Sequence, residues 1–211
     1  MRSTGELKIP RCVKPAHISN VNVELHMFSD ASEVEYGVVG YCRWHIEPEK
    51  FARMMIYAKS RVVPLKSVTV PRPELNTVRL AARVAEELRN EAGFSFTRTI
   101  YWTDSTIVLH YIRNTATRYS TFVANRISPI HKLSSPGDWR HFTSENNPAR
   151  LASRGVGSVA ALRYWFKGPS FLGVCEVQWP HYELNVIPEG IELKTKHALV
   201  NVTTSASEPT G

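Results

Sequence analysis

Apolar and polar residues alternate where the chain first becomes regular. Val21, Val23, Leu25 and Met27 are separated by polar positions, the period of a strand with one buried face. That strand ends near Phe28 and Ser29, and the turn-forming "DASEVE" follows. "YGVVGYCRW" (36–44) is aromatic and β-branched and reads as a second strand. "HIEPEK" is a loop around Pro48, and "FARMMIYAKSR" (51–61) is a third strand. Short connections predict an antiparallel meander.

The period then changes. "VVPLKSVTVPRP" holds three prolines and is a connection, and Pro73 suits the first turn of a helix. Leu75, Val78, Ala82, Ala85 and Leu88 fall at steps of three or four, one apolar stripe that should stop near Gly93. "RTIYW" (98–102) is a fourth strand, which "TDSTIVLHYIR" carries directly into a helix. "YSTFVANRISPIHKL" reads as helical as far as Pro129, and "DWRHF" (138–142) as a short strand. "NPARLASRG" is a short helix with Asn147 as cap, Pro148 first and Gly155 as stop. The order is βββαβα(α)βα, an α/β arrangement. Residues 1–20 form a basic, proline-punctuated lead-in, 21–156 the domain, and 157–211 a C-terminal extension or connector, partly disordered.

Composition adds a partner class. The 26 Lys and Arg outnumber 19 Asp and Glu, giving a net charge of +7 over 211 residues. A basic surface favours a polyanion such as nucleic acid. Cys12, Cys42 and Cys175 are isolated and odd in number, so they form no disulfide framework and point to a reducing, intracellular compartment, cytoplasmic or nuclear. The N-terminus lacks the apolar core of a secretion signal, and no apolar run reaches membrane length.

Three carboxylates stand at informative places. Asp30 closes the first strand, Glu74 lies in the first turn of the long helix, and Asp104 closes the fourth strand. Ends of central strands and adjacent helix starts are where α/β sites form. Each residue also has a local use: Asp30 in the "SDAS" turn, Asp104 as a helix cap, Glu74 against the helix dipole. Carboxylates gathered together repel one another unless a cation joins them, and hard oxygens suit Mg²⁺ or Mn²⁺.

"FSDAS", "YGVVGY", "KSRVVPLKSVTVPRPEL", "YWTDSTIVLHYI", "FVANRISPI", "WRHFTSENNPARLASRG" and "WFKGPSFL" together resemble the ribonuclease H-like domain of BEL/Pao-type retrotransposon polyproteins. The resemblance implies a mixed five-stranded sheet flanked by helices. It also implies two-metal hydrolysis of the RNA strand of RNA–DNA hybrids during reverse transcription. The polymerase and integrase portions of a parent polyprotein would be its partners. Position by position, Asp30, Glu74 and Asp104 fall on the first three metal-binding carboxylates. The fourth should be the Asp of "NPAD", where this chain has Arg150. His141, nine residues before it, stands in the strand-like "WRHF" and reads first as a core or edge histidine. In ribonucleases H a histidine of this region helps release product, so the resemblance also makes His141 an auxiliary candidate. Lys59, Arg61, Lys66 and Arg72, beside Glu74, and Arg113 are the candidate phosphate contacts, with Arg118 and Arg126 beyond them; the first four read equally well as a solvated basic loop.

Arg150 alters the expected chemistry. It removes a ligand of the second ion and adds a charge; unit charges 4 Å apart interact by about 4 kcal/mol at an effective dielectric of 20. Impaired hydrolysis with retained nucleic-acid affinity is the expectation. The alternative is a catalytically silent binding or structural remnant. An aspartic peptidase, which such elements also encode, needs a D-T-G or D-S-G turn, and "SDAS" is not one.

Overall fold

A computed structural model describes residues 9, 12–14, 22–32, 34–62, 72–116, 118–155, 157–183 and 188–193. Five strands form one mixed sheet in the order β3-β2-β1-β4-β5. They are β1 (Val23–Ala31), β2 (Glu35–Glu47), β3 (Lys50–Val62), β4 (Arg98–Thr103) and β5 (Trp139–His141). β1, β2 and β3 pair antiparallel, while β4 joins β1 in parallel and β5 joins β4 in parallel. The helices are α1 (Arg72–Glu91), α2 (Thr106–Arg113), α3 (Thr121–Leu133), α4 (Ala149–Arg154) and α5 (Val159–Lys167). The expected order and meander are both present.

One face of the sheet carries Leu25, Met27, Val38 and Tyr101, and packs on the apolar stripe of α1 and on α2 and α3. Each such buried aliphatic side chain contributes about 1.5–3 kcal/mol. The other face carries Phe28, Val39, Tyr41 and Trp102 and is covered by α4, α5 and the turns at 170–179. Leu172 and Trp179 belong to this second core, so packing continues across position 156.

Two expectations change. The alternation in β1 predicted one solvated face, but Val23 to Asp30 are all buried. Its polar positions are neutralised rather than hydrated. Glu24 accepts from Arg43 at 2.6 Å and Arg98 at 2.7 Å, and His26 lies 3.2 Å from it. The second change is α3, which runs through Pro129 to Leu133. An interior proline removes one helical hydrogen bond and costs about 3 kcal/mol. Burial of Ile127 on one side of it and Ile130 on the other offsets this.

Candidate active site

Register brings two of the carboxylates together. In the parallel β1–β4 pair Phe28 lies opposite Trp102 and Ser29 opposite Thr103. The next step places Asp30 beside Asp104, at the carboxyl ends of the two central strands. Neither residue is spent on its local alternative. Ser32 closes the turn, donating to the Glu35 carbonyl at 2.8 Å and accepting the Glu35 N–H at 3.0 Å. Ser105 caps α2 by accepting the Val108 N–H at 3.3 Å.

Glu74 sits in the first turn of α1 and accepts a short hydrogen bond from the Ser105 hydroxyl. One serine therefore ties the start of α1 to the end of β4. The expected trio lies within electrostatic reach. Burial pushes the Asp30 carboxyl up to about 6, against the lowering pull of Ser153, and the Asp104 charge adds to the rise. Asp104 is raised by burial, opposed by Ser144, with the Glu74 charge contributing. Glu74 is raised by burial, opposed by Ser105, with the Asp30 charge contributing. The two carboxyls lie close enough for the charge of Asp104 to act on Asp30, which disfavours ionising both together.

The donors are hard oxygens and suit a divalent cation. Asp30 and Asp104 offer one ion a pair of neighbouring carboxyls, both held above their ordinary range by burial. Among the described residues no group of three or more His, Cys, Asp and Glu side chains is gathered tightly enough to hold a metal. Glu74 remains on its serine.

Helix α4 comes close because residue 37 is glycine. A Cβ there would lie 2.9 Å from the Ala152 Cβ and 3.0 Å from the Ala149 carbonyl oxygen. Asn147 anchors the start of α4: its Nδ2 donates to the Ser29 carbonyl at 2.8 Å and its Oδ1 accepts the Ala149 N–H at 3.1 Å. The expected cap is present, with Pro148 in helical conformation and Gly155 ending the helix at φ 80°. Arg150 is partly buried on α4 and makes no ion pair with Asp30 or Asp104. The residue of α4 that touches Asp30 is Ser153, whose hydroxyl donates to Oδ2 at 2.7 Å. Arg154 supplies the cation whose charge acts on Asp30. Sequence reasoning missed both; the signal was their spacing of three and four from Arg150, which sets them on one helical face.

His141 ends β5 beside Asp104. Its Nε2 faces the Asp104 carbonyl at 3.2 Å, so that nitrogen carries the hydrogen, and its ring packs on Tyr182 at 4.2 Å. Burial lowers its basicity, against the Asp104 carbonyl. Lys59 and Arg61 lie on β3, opposite Val38 and Tyr36 and so on the α1 side of the sheet. Lys66 and the Arg72 side chain lie outside the described residues. Arg113 donates to the Trp139 carbonyl at 3.0 Å, and Arg126 donates to Asn76 at 2.7 Å. Both therefore have structural partners already.

Residues 1–105 match the family model described as "Pao retrotransposon-like RNaseH-like domain". The matched segment belongs to the Pao retrotransposon RNaseH-like family. The match spans Asp30, Glu74 and Asp104 and stops before α4, so Arg150 lies beyond it. No curated protein matches the sequence. Solved structures similar to this Pao-type domain include RNase H1 from the halophilic archaeon Halobacterium salinarum NRC-1. It has 11% identity over 67% of this chain and 98% of that chain, with a TM-score of 0.41. The N-terminal RNase H domain of rv2228c from Mycobacterium tuberculosis, solved as a fusion with maltose binding protein, gives 12%, 69%, 96% and 0.43 in the same order. LC11-RNase H1 in complex with an RNA/DNA hybrid gives 9%, 63%, 94% and 0.41. The family assignment rests on the sequence match. No helix among the described residues is long and apolar enough to cross a membrane.

Proposed function

We propose that this Pao-type domain hydrolyses the RNA strand of RNA–DNA hybrids weakly, with Mg²⁺ or Mn²⁺ held by Asp30 and Asp104 and approached by Glu74. The observation that carries the reading is the side-by-side placement of Asp30 and Asp104 on parallel central strands, both carboxyls raised by burial, with the Asp104 charge adding at Asp30 and the Glu74 charge at Asp104. When bound, the metal would supply Lewis-acid activation of water and of the scissile phosphate. The chain's own residues fix the carboxyls: Ser153 and Ser144 hold one each, and Ser105 holds Glu74. Arg150 brings no oxygen donor to this set, which supports impairment. Lys59 and Arg61, with Lys66 and Arg72, are the proposed phosphate contacts, and His141 a proposed auxiliary group. Polymerase and integrase portions of a parent polyprotein are the proposed partners, within the cell.

The test is RNA cleavage in a hybrid with Mg²⁺ and with Mn²⁺, comparing wild type with Arg150→Asp. Wild type is expected to turn over at least tenfold more slowly than the variant. Equal turnover would overturn the impairment. The lack of a three-carboxylate cluster among the described residues favours a second reading, a silent hybrid-binding module. Hybrid binding without cleavage by either protein would select it.

A further inference from the structure

Helix α4 brings no carboxylate to the Asp30 cluster, but it brings a hydroxyl. Ser153 is 4% exposed, and its hydroxyl has a single proton with two acceptors in reach. One is the Arg150 carbonyl at 3.1 Å, the usual partner of a serine inside a helix. The other is Asp30 Oδ2 at 2.7 Å. The carboxyl oxygen is nearer, and a bond to a carboxylate is the stronger of the two. The proton therefore goes to Asp30.

The geometry has independent support on three sides. Gly37 lets the backbone of Ala149 and Ser153 approach β2. Asn147 ties the start of α4 to the Ser29 carbonyl, one residue before Asp30. Trp165 on α5 donates from Nε1 to the Pro148 carbonyl at 3.1 Å, and Tyr41 on β2 donates to the Trp165 carbonyl at 2.6 Å. Helix α4 is thus clamped against the sheet, and Ser153 is delivered to one oxygen of Asp30 in a fixed orientation.

We propose that Ser153 is a positioning residue: by holding Asp30 Oδ2 it turns Oδ1 toward Asp104, so that the two carboxyls present a preformed pair of oxygens to a divalent cation. The proposal rests on the divalent-metal reading above. Removing a hydrogen-bond partner of a ligating group weakens metal binding by about 10–100-fold.

The experiment is a titration of the full chain with Mn²⁺, read by the loss of free Mn²⁺ signal in electron paramagnetic resonance and paired with thermal unfolding. Ser153→Ala and Ser153→Cys should each bind Mn²⁺ at least tenfold more weakly than wild type; the cysteine keeps the packing and gives up the strong donor. Ser153→Thr, which retains the hydroxyl, should remain within about threefold of wild type. In an Asp30→Asn background, Ser153→Ala should change Mn²⁺ affinity no further. Wild-type affinity in both folded Ala and Cys variants would overturn the positioning role alone. A threonine variant as weak as the alanine would overturn it too, as would a further loss in the Asp30→Asn background. If wild type binds no Mn²⁺, or binds it equally after Asp30→Asn, the metal reading itself falls and this proposal with it.

Discussion

Two buried residues on β1 titrate in opposite directions, and their effects on stability can be separated. His26 is fully buried. Its Nδ1 accepts the Trp102 Nε1–H at 3.2 Å, so Nε2 carries the hydrogen and faces Glu24. Burial pushes His26 down from 6.5 to about 4, against the pull of Glu24. The unfolded chain takes up this proton first, so stability is lost as pH falls from 6.5 toward 4. Asp30 rises from 3.8 to about 6, so the folded chain takes up that proton first. Its contribution is gained as pH falls through 6 and is complete below 3.8. At about 1.36 kcal/mol per pH unit, each effect amounts to about 3 kcal/mol, with opposite sign. In chelator, Asp30→Asn should lose more stability than wild type on acidification from pH 6 to pH 4. The same variant should be about 1–3 kcal/mol more stable than wild type at pH 7, because it removes a buried carboxyl. Denaturant melts at several pH values check this, and parallel pH profiles for the two proteins would refute it. The residues themselves were legible in the sequence: Asp30, Glu74 and Asp104 each end or begin an element that periodicity located. The serines holding them were not, because a serine in a helix or turn has many ordinary uses and only register shows which acceptor it meets.

At the scale of elements, the sheet and its helices followed from pattern, and the errors share a cause. Pro129 is a correct local signal for a helix end, overridden because Ile127 and Ile130 bury on the same helix. The alternation of β1 was read correctly as strand, but solvent exposure of its polar face does not follow from alternation. Arg43 and Arg98 occupy the place that water would take. The contact between α4 and β2 depends on Gly37. Gly37→Ala would set a methyl against backbone atoms of α4, so the helix must shift by a few tenths of an ångström or more. A loss of about 1–3 kcal/mol is expected, as for overpacked cores. Mn²⁺ affinity should weaken alongside, since Ser153 moves with the helix. A Gly37→Ala variant with unchanged melting and unchanged Mn²⁺ affinity would contradict this account of how α4 is seated.

Across the whole molecule, the least legible feature is how residues 170–179 are held. Arg43 is 1% exposed and spreads its guanidinium over three acceptors. Nε donates to the Leu172 carbonyl at 2.9 Å, Nη2 to the Val174 carbonyl at 2.8 Å, and Nη1 to Glu24 at 2.6 Å. Farther along, Glu176 pairs with Arg98 and with Arg140. Burial alone would raise Glu24, but His26, Arg43 and Arg98 hold it well below the usual carboxylate range. None of this follows from periodicity, because the partners are far apart in sequence and carry no local motif. Removing one member of a buried ion pair costs about 3–5 kcal/mol. Arg43→Met should lose about that much, and proteolysis near Leu172 should accelerate. Wild-type resistance to protease in that variant would show that the segment is held by its aromatic packing alone. A chain ending at Gly157 should likewise melt well below the full chain, since it would uncover Phe28, Tyr41 and Trp102.

The reach of Arg43 also governs the order in which the molecule can be made. Its bonds to Leu172 and Val174 close sequence separations of 129 and 131 residues. The β1–β2 hairpin that carries Glu24 and Arg43 is complete long before those carbonyls leave a ribosome. Until they arrive, the hairpin holds a guanidinium with only part of its hydrogen bonds made, on a face that has not yet been covered. Long-range closures of this kind slow folding. Refolding of the full chain should therefore show a late step that coincides with burial of Trp179, and in the cell the half-made sheet is the species most in need of a chaperone.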